Sequence, residues 1–212
     1  MDDADTGGTT QPAPSARGIV LSLLVLAVAG VASVAGSVYI GTAFPDRPTP
    51  RDALFELLPY VSSVRYLTAV ALVAAFALFF RYALRFERRE IPAFIAIFGL
   101  MYLLRAVIMV LTPLGDAQGP GSYVFPFVQH GMFPSGHTAA ALLCARLVDR
   151  AKAPRLRRVQ QALATVVAVA LVVSHGHYTI DVVGGALLAY FVEQEWRHGR
   201  LFGPVKRLIG RP

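Results

Sequence analysis

The sequence predicts an all-α, polytopic membrane protein: a bundle of six transmembrane helices with both termini in the cytoplasm. Of the 212 residues, 55% are hydrophobic and only 16% are charged, which leaves too few polar residues to cover a soluble domain of this length. Apolar runs of about 20 residues recur, the length at which an α-helix crosses roughly 30 Å of hydrocarbon. Basic residues cluster in alternate connections between these runs. Together these observations predict one membrane domain without a separate soluble module.

The six predicted spans are apolar segments with distinct flanking regions. They lie at Ile19–Phe44, Val61–Leu84, Ile91–Leu111, Phe133–Val148, Val159–Ser174 and Tyr178–Trp196. The first is too long for the apolar part of a signal peptide and follows an acidic segment, so we predict a retained helix. The fourth is short and begins with polar residues, which leaves a re-entrant segment as an alternative. We predict a disordered tail over residues 1–17, a catalytic membrane domain over 18–197 and a basic cytoplasmic tail over 198–212.

The distribution of Lys and Arg predicts the orientation of the bundle. Basic clusters follow the second span, join the fourth span to the fifth and follow the sixth. The connection over residues 45–60 has two arginines balanced by three acids, and residues 112–132 contain no Lys or Arg. The positive-inside rule therefore places both termini in the cytoplasm. We attribute the net charge of +7 to this topology and to anionic lipid headgroups, and not to nucleic-acid binding.

The start of the fourth span has the residues of an anion-binding helix end. Pro134 suits a first helical turn, and Ser135 can cap the helix. Gly136 allows a ligand to approach the backbone, and the helix dipole and unpaired N–H groups favour phosphate. His137 lies within one turn of that position. The alternative is an ordinary capped helix that carries an incidental histidine.

The start of the sixth span pairs a histidine with a carboxylate. His177 and Asp181 are four positions apart, so on a helix they lie on one face and can interact. A carboxylate that accepts one ring N–H leaves the other ring nitrogen free to act as a nucleophile. The alternative is a polar pair at a hydrated helix end. Gly184 and Gly185 on the same helix predict close packing against a neighbour.

A third candidate lies in the third span, where Arg105 follows Tyr102 by three residues. A buried arginine needs an anionic partner, and its planar fork suits phosphate oxygens; the alternative is a structural pair with an acid such as Asp181. The third span ends, and the fourth and sixth begin, on the non-cytoplasmic side. The topology therefore predicts that Arg105, His137, His177 and Asp181 meet there in a phosphoryl-transfer site without a set of metal ligands.

These motifs also resemble a known family. Pro134-Ser135-Gly136-His137, followed downstream by His177-x-x-x-Asp181, resembles the type 2 phosphatidic acid phosphatase (PAP2) superfamily. The longer string His-Gly-His-Tyr-Thr-Ile-Asp-Val at residues 175–182 resembles its sphingomyelin synthase branch, as does Tyr102-x-x-Arg105. The resemblance implies six spans and an active site on the non-cytoplasmic face, working without cofactor or metal.

The resemblance further implies transfer of a phosphocholine- or phosphoethanolamine-type headgroup from a glycerophospholipid to a lipid alcohol such as ceramide, within the bilayer, through a phosphohistidine. It makes His177 the nucleophile, Asp181 its orienting acid and His137 the general acid and base. The implied substrate contacts are Arg105, Ser135, Gly136, Tyr102 and Tyr178. Two alternatives remain open at this point: resolution of the intermediate by water, as in a lipid phosphatase or a phospholipase C-like hydrolase, and a non-catalytic lipid-binding or transport protein.

Overall fold

The computed structural model describes residues 15–117 and 130–210. Most of the predicted N-terminal tail, part of the 112–132 connection and the last two residues therefore lie outside the described residues. Within the described ranges all regular secondary structure is helical. The elements are α1 (Ala16–Ala43), α2 (Ala53–Leu57), α3 (Val64–Phe86), a 3₁₀ turn (Arg88–Glu90), α4 (Ile91–Leu111), α5 (Gly136–Leu147), α6 (Pro154–Val173), α7 (Thr179–Arg197) and α8 (Gly203–Leu208).

The long helices lie where the apolar runs predict them, and α4 has the predicted bounds. α1 begins at Ala16, inside the predicted disordered tail, because the Ser15 hydroxyl accepts a hydrogen bond from Gly18 N at 3.1 Å and caps the helix. α6 begins five residues before its apolar run, at Pro154. Proline suits a first helical turn, and the arginines that follow can extend their charges out of the apolar region.

Four of the helices are long and apolar enough to cross a membrane: α1, α3, α4 and α6. α5 has 12 residues, about 18 Å at 1.5 Å per residue, which is short of the hydrocarbon thickness. α7 has 19 residues but contains three acids. Most of α5 is buried by α3, α4, α6 and α7, so it fills the centre of the bundle and needs little contact with lipid. The chain is thus an all-helical membrane protein over its described part, and the six spans stay a prediction.

The chain ends of the described part meet at one end of the bundle. α1 and α4 run parallel and in close contact, since a Cβ atom on Gly99 would lie 2.9 Å from Leu26 N. A Cβ atom on Gly18, near the start of α1, would lie 3.0 Å from Ile209 O. The predicted C-terminal tail instead folds in part as α8, because Phe202 and Ile209 are buried in the core.

The same end of the bundle carries ion pairs among the basic clusters. Glu193 of α7 is nearly buried and accepts from Arg146 Nη2 at 2.6 Å and from Arg197 Nε at 2.5 Å. Lys152 pairs with Glu87 at 2.5 Å. The two pairs of Glu193 neutralise one of the three acids that hydropathy alone counts against α7 as a buried helix.

The crossing of α5 and α7 depends on two glycines. A Cβ atom on Gly185 would lie 2.4 Å from Ser135 O, and one on Gly184 would lie 2.4 Å from the Phe133 ring. The predicted close packing at this pair is confirmed. It brings the starts of α5 and α7, with their candidate site residues, into direct contact.

We expect Gly185→Ala to lower the stability of the protein by about 1–3 kcal/mol, because the new methyl group would press on a backbone carbonyl that cannot move aside. Gly30→Ala is the matched control, since Gly30 is also inside a helix and its Cβ position meets nothing within 4 Å. Alanine is intrinsically better in a helix by about 1 kcal/mol, so the control should not be destabilised. Thermal unfolding midpoints in detergent measure both, and equal midpoints for the two variants would contradict the prediction.

Candidate active site

Two histidines face each other at the end of the bundle where α4 and α6 end and α5 and α7 begin. His137 lies in the first turn of α5, and His177 lies just before α7. Their ring centres are 5.7 Å apart, with the ring planes inclined by 64°. Reacting atoms in a near-attack arrangement are roughly 3–3.5 Å apart. Both rings can therefore contact a single phosphoryl group.

His177 is oriented by a buried carboxylate. Its Nδ1 lies 3.1 Å from Asp181 Oδ2, and Asp181 is fully buried. The same oxygen accepts a hydrogen bond from Tyr178 N at 3.0 Å. When Nδ1 donates to Asp181, the lone pair of Nε2 on the opposite side of the ring is available as a nucleophile.

The helix that carries Asp181 begins later than the predicted His177–Asp181 pairing on one helical face assumed. α7 begins at Thr179, so His177 lies two residues before the helix and not on its face. The contact with Asp181 still forms, because a side chain in the first turn of a helix can reach back over its N-terminus. The backbone N–H groups of Gly176 and His177 both donate to Leu171 O, at 2.8 and 3.3 Å, and this turn presents the histidine.

The two motifs are joined by a backbone hydrogen bond. Ser135 N donates to Asp181 O at 2.9 Å, which ties the start of α5 to the first turn of α7. The Ser135 hydroxyl caps α5 by accepting from Thr138 N at 3.3 Å. Ser135 is fully buried, and its hydroxyl oxygen is occupied by this capping bond. The contacts of Ser135 and Gly136 with substrate stay predictions.

Arg105 holds the segment that leads into α5. Its Nε donates to Pro134 O at 2.9 Å and its Nη2 to Gly131 O at 2.7 Å. Gly131 adopts a φ of +109°, a conformation that favours glycine. The Asp181 carboxylate binds His177, so the structural pairing of Arg105 with Asp181 is not the arrangement that forms. The guanidinium is nearly buried and bridges two carbonyls beside the histidine pair; its contact with substrate stays a prediction.

Tyr102 lies against the start of α5, and Tyr178 directly follows His177. A Cβ atom on Gly136 would lie 3.0 Å from Arg105 Nε and 3.3 Å from the Tyr102 ring. The sequence predicted that Gly136 allows a ligand to approach the backbone. In the structure, the lack of a side chain at Gly136 instead allows α4 to pack closely against the start of α5. Tyr178 is buried, and its hydroxyl donates to Asp116 O at 3.4 Å. Their contacts with substrate likewise stay predictions.

A polar cluster beside Tyr178 was missed by sequence reasoning. Arg47 Nη2 lies 2.9 Å from His130 Nδ1 and 3.5 Å from Asp116 Oδ2. Arg47 also donates to the carbonyls of Ile40 and Leu114. No local sequence pattern marks this cluster, because the partners of Arg47 and His130 are distant along the chain. The cluster ties the end of α1 to the connection that follows α4.

Asp52 was also missed, although it bonds directly to the first residue of α7. Its carboxylate accepts from both the amide and the hydroxyl of Thr179. The local signal was an aspartate before a short apolar run, which predicts a helix cap but not a distant partner. In the described ranges, no group of three or more His, Cys, Asp or Glu residues is placed to hold a metal ion.

Comparison with known proteins and protein families gives a family match for this chain. No individual curated protein matches it. A model of the AtPDCT1/2 family, which is a phosphatidylcholine:diacylglycerol cholinephosphotransferase family, matches residues 50–195. The matched region contains both histidine motifs, Arg105 and Asp52, and it leaves out all of α1.

This match corrects the resemblance to the sphingomyelin synthase branch of the PAP2 superfamily. That resemblance depended on short strings around His137 and His177, and such strings specify the local arrangement of a histidine and a carboxylate. They do not specify the remaining surface that distinguishes one family from another. The matched region covers more than half of the sequence. The chain belongs to the AtPDCT1/2 family.

Proposed function

We propose that the chain is a membrane lipid headgroup transferase that moves phosphocholine from phosphatidylcholine to diacylglycerol through a phosphohistidine on His177. Family membership supports the reaction type and the two lipids. The observation that carries the mechanism is the buried contact between His177 Nδ1 and Asp181 Oδ2, with the His137 ring 5.7 Å away. The pair has the arrangement of an oriented nucleophile beside a general acid.

In the first half-reaction, His177 Nε2 attacks the phosphorus of phosphatidylcholine. The bond between phosphorus and the glycerol oxygen breaks, and the electron pair leaves with that oxygen. His137 donates a proton to the oxygen, so that diacylglycerol departs as a neutral alcohol. Phosphocholine remains bound to His177 through a P–N bond, and the imidazole retains its contact with Asp181.

In the second half-reaction, the hydroxyl of another diacylglycerol attacks the same phosphorus. Its proton passes to His137, the P–N bond breaks, and a new phosphatidylcholine forms. The attacking and leaving groups are the same chemical class, so one acid–base residue serves both directions. The reaction exchanges one ester for an equivalent one and needs no external energy source.

The start of α5 stabilises the charge that develops on the phosphoryl oxygens. The Gly136 N–H and the positive end of the helix dipole favour an anion there. Arg105 adds positive charge and keeps the segment before α5 in position. Preorganised donors of this kind usually supply the largest electrostatic part of catalysis.

The proposed enzyme has six membrane spans and an active site on the non-cytoplasmic face. Residues 18–197 form a six-span catalytic domain in which α5 and α7 complete the bundle. The histidine pair lies at the end opposite the basic clusters around Arg88, Lys152 and Lys206. By the positive-inside rule this end is the non-cytoplasmic one.

The test is a headgroup-transfer assay with purified protein in lipid vesicles. The donor is phosphatidylcholine with a deuterated headgroup, the acceptor is diacylglycerol with distinct acyl chains, and the water carries ¹⁸O. We expect deuterated headgroup on the acceptor chains, detected by mass spectrometry. Release of ¹⁸O-phosphocholine would instead identify a hydrolase, and absence of both products would identify a non-catalytic protein. A parallel arm with ceramide determines whether a different lipid alcohol is accepted.

A further inference from the structure

The connection between α1 and α3 folds back over the loop that carries His177. We call residues 52–61 of this connection the clasp. At its far end, Val61 N donates to Val173 O at 3.1 Å, at the end of α6. At its near end, Asp52 bonds to Thr179 at the start of α7. The clasp therefore spans the whole turn between α6 and α7.

The Asp52 side chain accepts three hydrogen bonds at the near end of the clasp. Its Oδ2 accepts from Thr179 N at 2.5 Å, and its Oδ1 accepts from Thr179 Oγ1 at 2.8 Å and from Leu54 N at 2.9 Å. The Thr179 amide is one of the N–H groups that a helix start leaves without an intrahelical acceptor. A carboxylate is also favoured there by the helix dipole. Asp52 thus caps both α2 and α7.

The carboxylate is held in its charged form. Partial burial raises the pKa of Asp52, but the hydrogen bonds from Thr179, Leu54 and Phe55 outweigh burial and lower it below its ordinary value. Asp52 is therefore ionised at neutral pH, and both of its oxygens can accept hydrogen bonds from Thr179.

An aromatic residue of the clasp, Phe55, packs against the residues that flank His177 in the sequence. The Phe55 ring stacks on His175 with centres 3.9 Å apart and planes inclined by 13°, and it lies 5.7 Å from Tyr178. His175 adopts a φ of +49°, which is uncommon for a residue other than glycine. The clasp thus contacts residues on both sides of His177 and supports a backbone turn that is costly for histidine.

From this geometry we infer that Asp52 is a positioning residue for His177. Asp181 orients the imidazole ring, whereas Asp52 holds the backbone on which the ring is mounted. His177 lies outside α7, so the helix alone does not determine its distance from His137. Without the bond to Thr179, the turn can shift and carry the ring out of line with the phosphorus. This inference rests on the proposed function, because it assigns Asp52 a role through the proposed nucleophile.

The test compares Asp52→Asn with Asp46→Asn, the second being an exposed aspartate of the same connection. Asparagine keeps one acceptor oxygen and so loses one of the two bonds to Thr179. A displacement of about 1 Å can reduce turnover on the order of 10²-fold. We expect kcat of Asp52→Asn to fall about 10- to 100-fold with KM for phosphatidylcholine little changed, and Asp46→Asn to match the wild type.

A second pair of variants, at Thr179, tests the same hydrogen bonds without a change at Asp52, in case the Asp52 variant misfolds. Thr179→Val removes the hydroxyl that donates to Oδ1, and Thr179→Ser keeps it. We expect the valine variant to lose turnover and the serine variant to retain it, and amide hydrogen exchange at the start of α7 to be faster in the valine variant only. A purely structural role would reduce kcat only in proportion to the folded fraction.

The two proposals fail in distinguishable ways. Full activity of His177→Ala would overturn the proposed function. If His177→Ala is inactive while Asp52→Asn and Thr179→Val keep the wild-type kcat, the proposed nucleophile stands and the positioning role of Asp52 is wrong.

Discussion

Replacing His177 with alanine should abolish headgroup transfer while leaving the protein folded. The substitution removes the atom that forms the P–N bond, so no covalent intermediate can arise and both half-reactions stop. Loss of a nucleophile that works as a unit with its neighbours typically costs on the order of 10⁴-fold or more in turnover. The headgroup-transfer assay in vesicles measures this effect. Incubation of the wild type with phosphatidylcholine and no diacylglycerol should, in addition, yield a peptide that carries phosphocholine on His177.

His198→Ala is the matched control, because His198 is an exposed histidine at the other end of the same helix. It should transfer headgroups at the wild-type rate. His137→Ala should also lose turnover, since the departing diacylglycerol oxygen would leave without a proton, at a cost of about 10²–10⁴-fold. Transfer by His177→Ala at a rate near that of the wild type would contradict the covalent mechanism.

Arg105→Lys should reduce both stability and turnover, although it keeps the positive charge. Arg105 bridges Pro134 O and Gly131 O with two separate nitrogens, whereas the single ammonium of lysine cannot reproduce that planar fork. Each buried carbonyl left unsatisfied costs about 1–3 kcal/mol. We expect a lower thermal unfolding midpoint in detergent and a lower kcat, because the segment before α5 carries His137 into position.

Arg157→Lys provides the control for this exchange. Arg157 donates to one carbonyl, that of Val148, at the opposite end of the bundle, and a lysine can satisfy a single acceptor. Its midpoint and turnover should stay close to those of the wild type. If Arg105 served substrate binding alone, Arg105→Lys would change the kinetics and leave the midpoint of the lipid-free protein unaltered.

Local sequence signals predicted the long apolar helices and the pairing of His177 with Asp181. The apolar run of α4 was sufficient because each of its residues contributes to hydropathy independently of its neighbours in space. The His177–Asp181 contact was predictable because the partners are only four positions apart in the sequence. The close approach at Gly185 was also predictable in kind, but its partner, Ser135 O, was not.

Contacts between distant parts of the chain escaped prediction. α5 is shorter than its apolar run because the residues before Ser135 are held by Arg105 in a non-helical segment. α8 packs on the core because Phe202 and Ile209, which flank it, are buried there. The basic composition of this region gives no indication of such burial. The bond from Asp52 to Thr179 joins residues that are 127 positions apart, and no local pattern specifies such a partner.

The sequence by itself determined that this protein is a helical membrane protein with its phosphoryl-transfer candidates at one end, since hydropathy and spacing along a helix are local properties. Only the tertiary structure decided how those candidates are held: His177 outside its helix, Arg105 on two carbonyls and Asp52 across the start of α7. These arrangements depend on which backbone groups remain unpaired once the helices have packed, and that is settled by the whole bundle and not by any single segment.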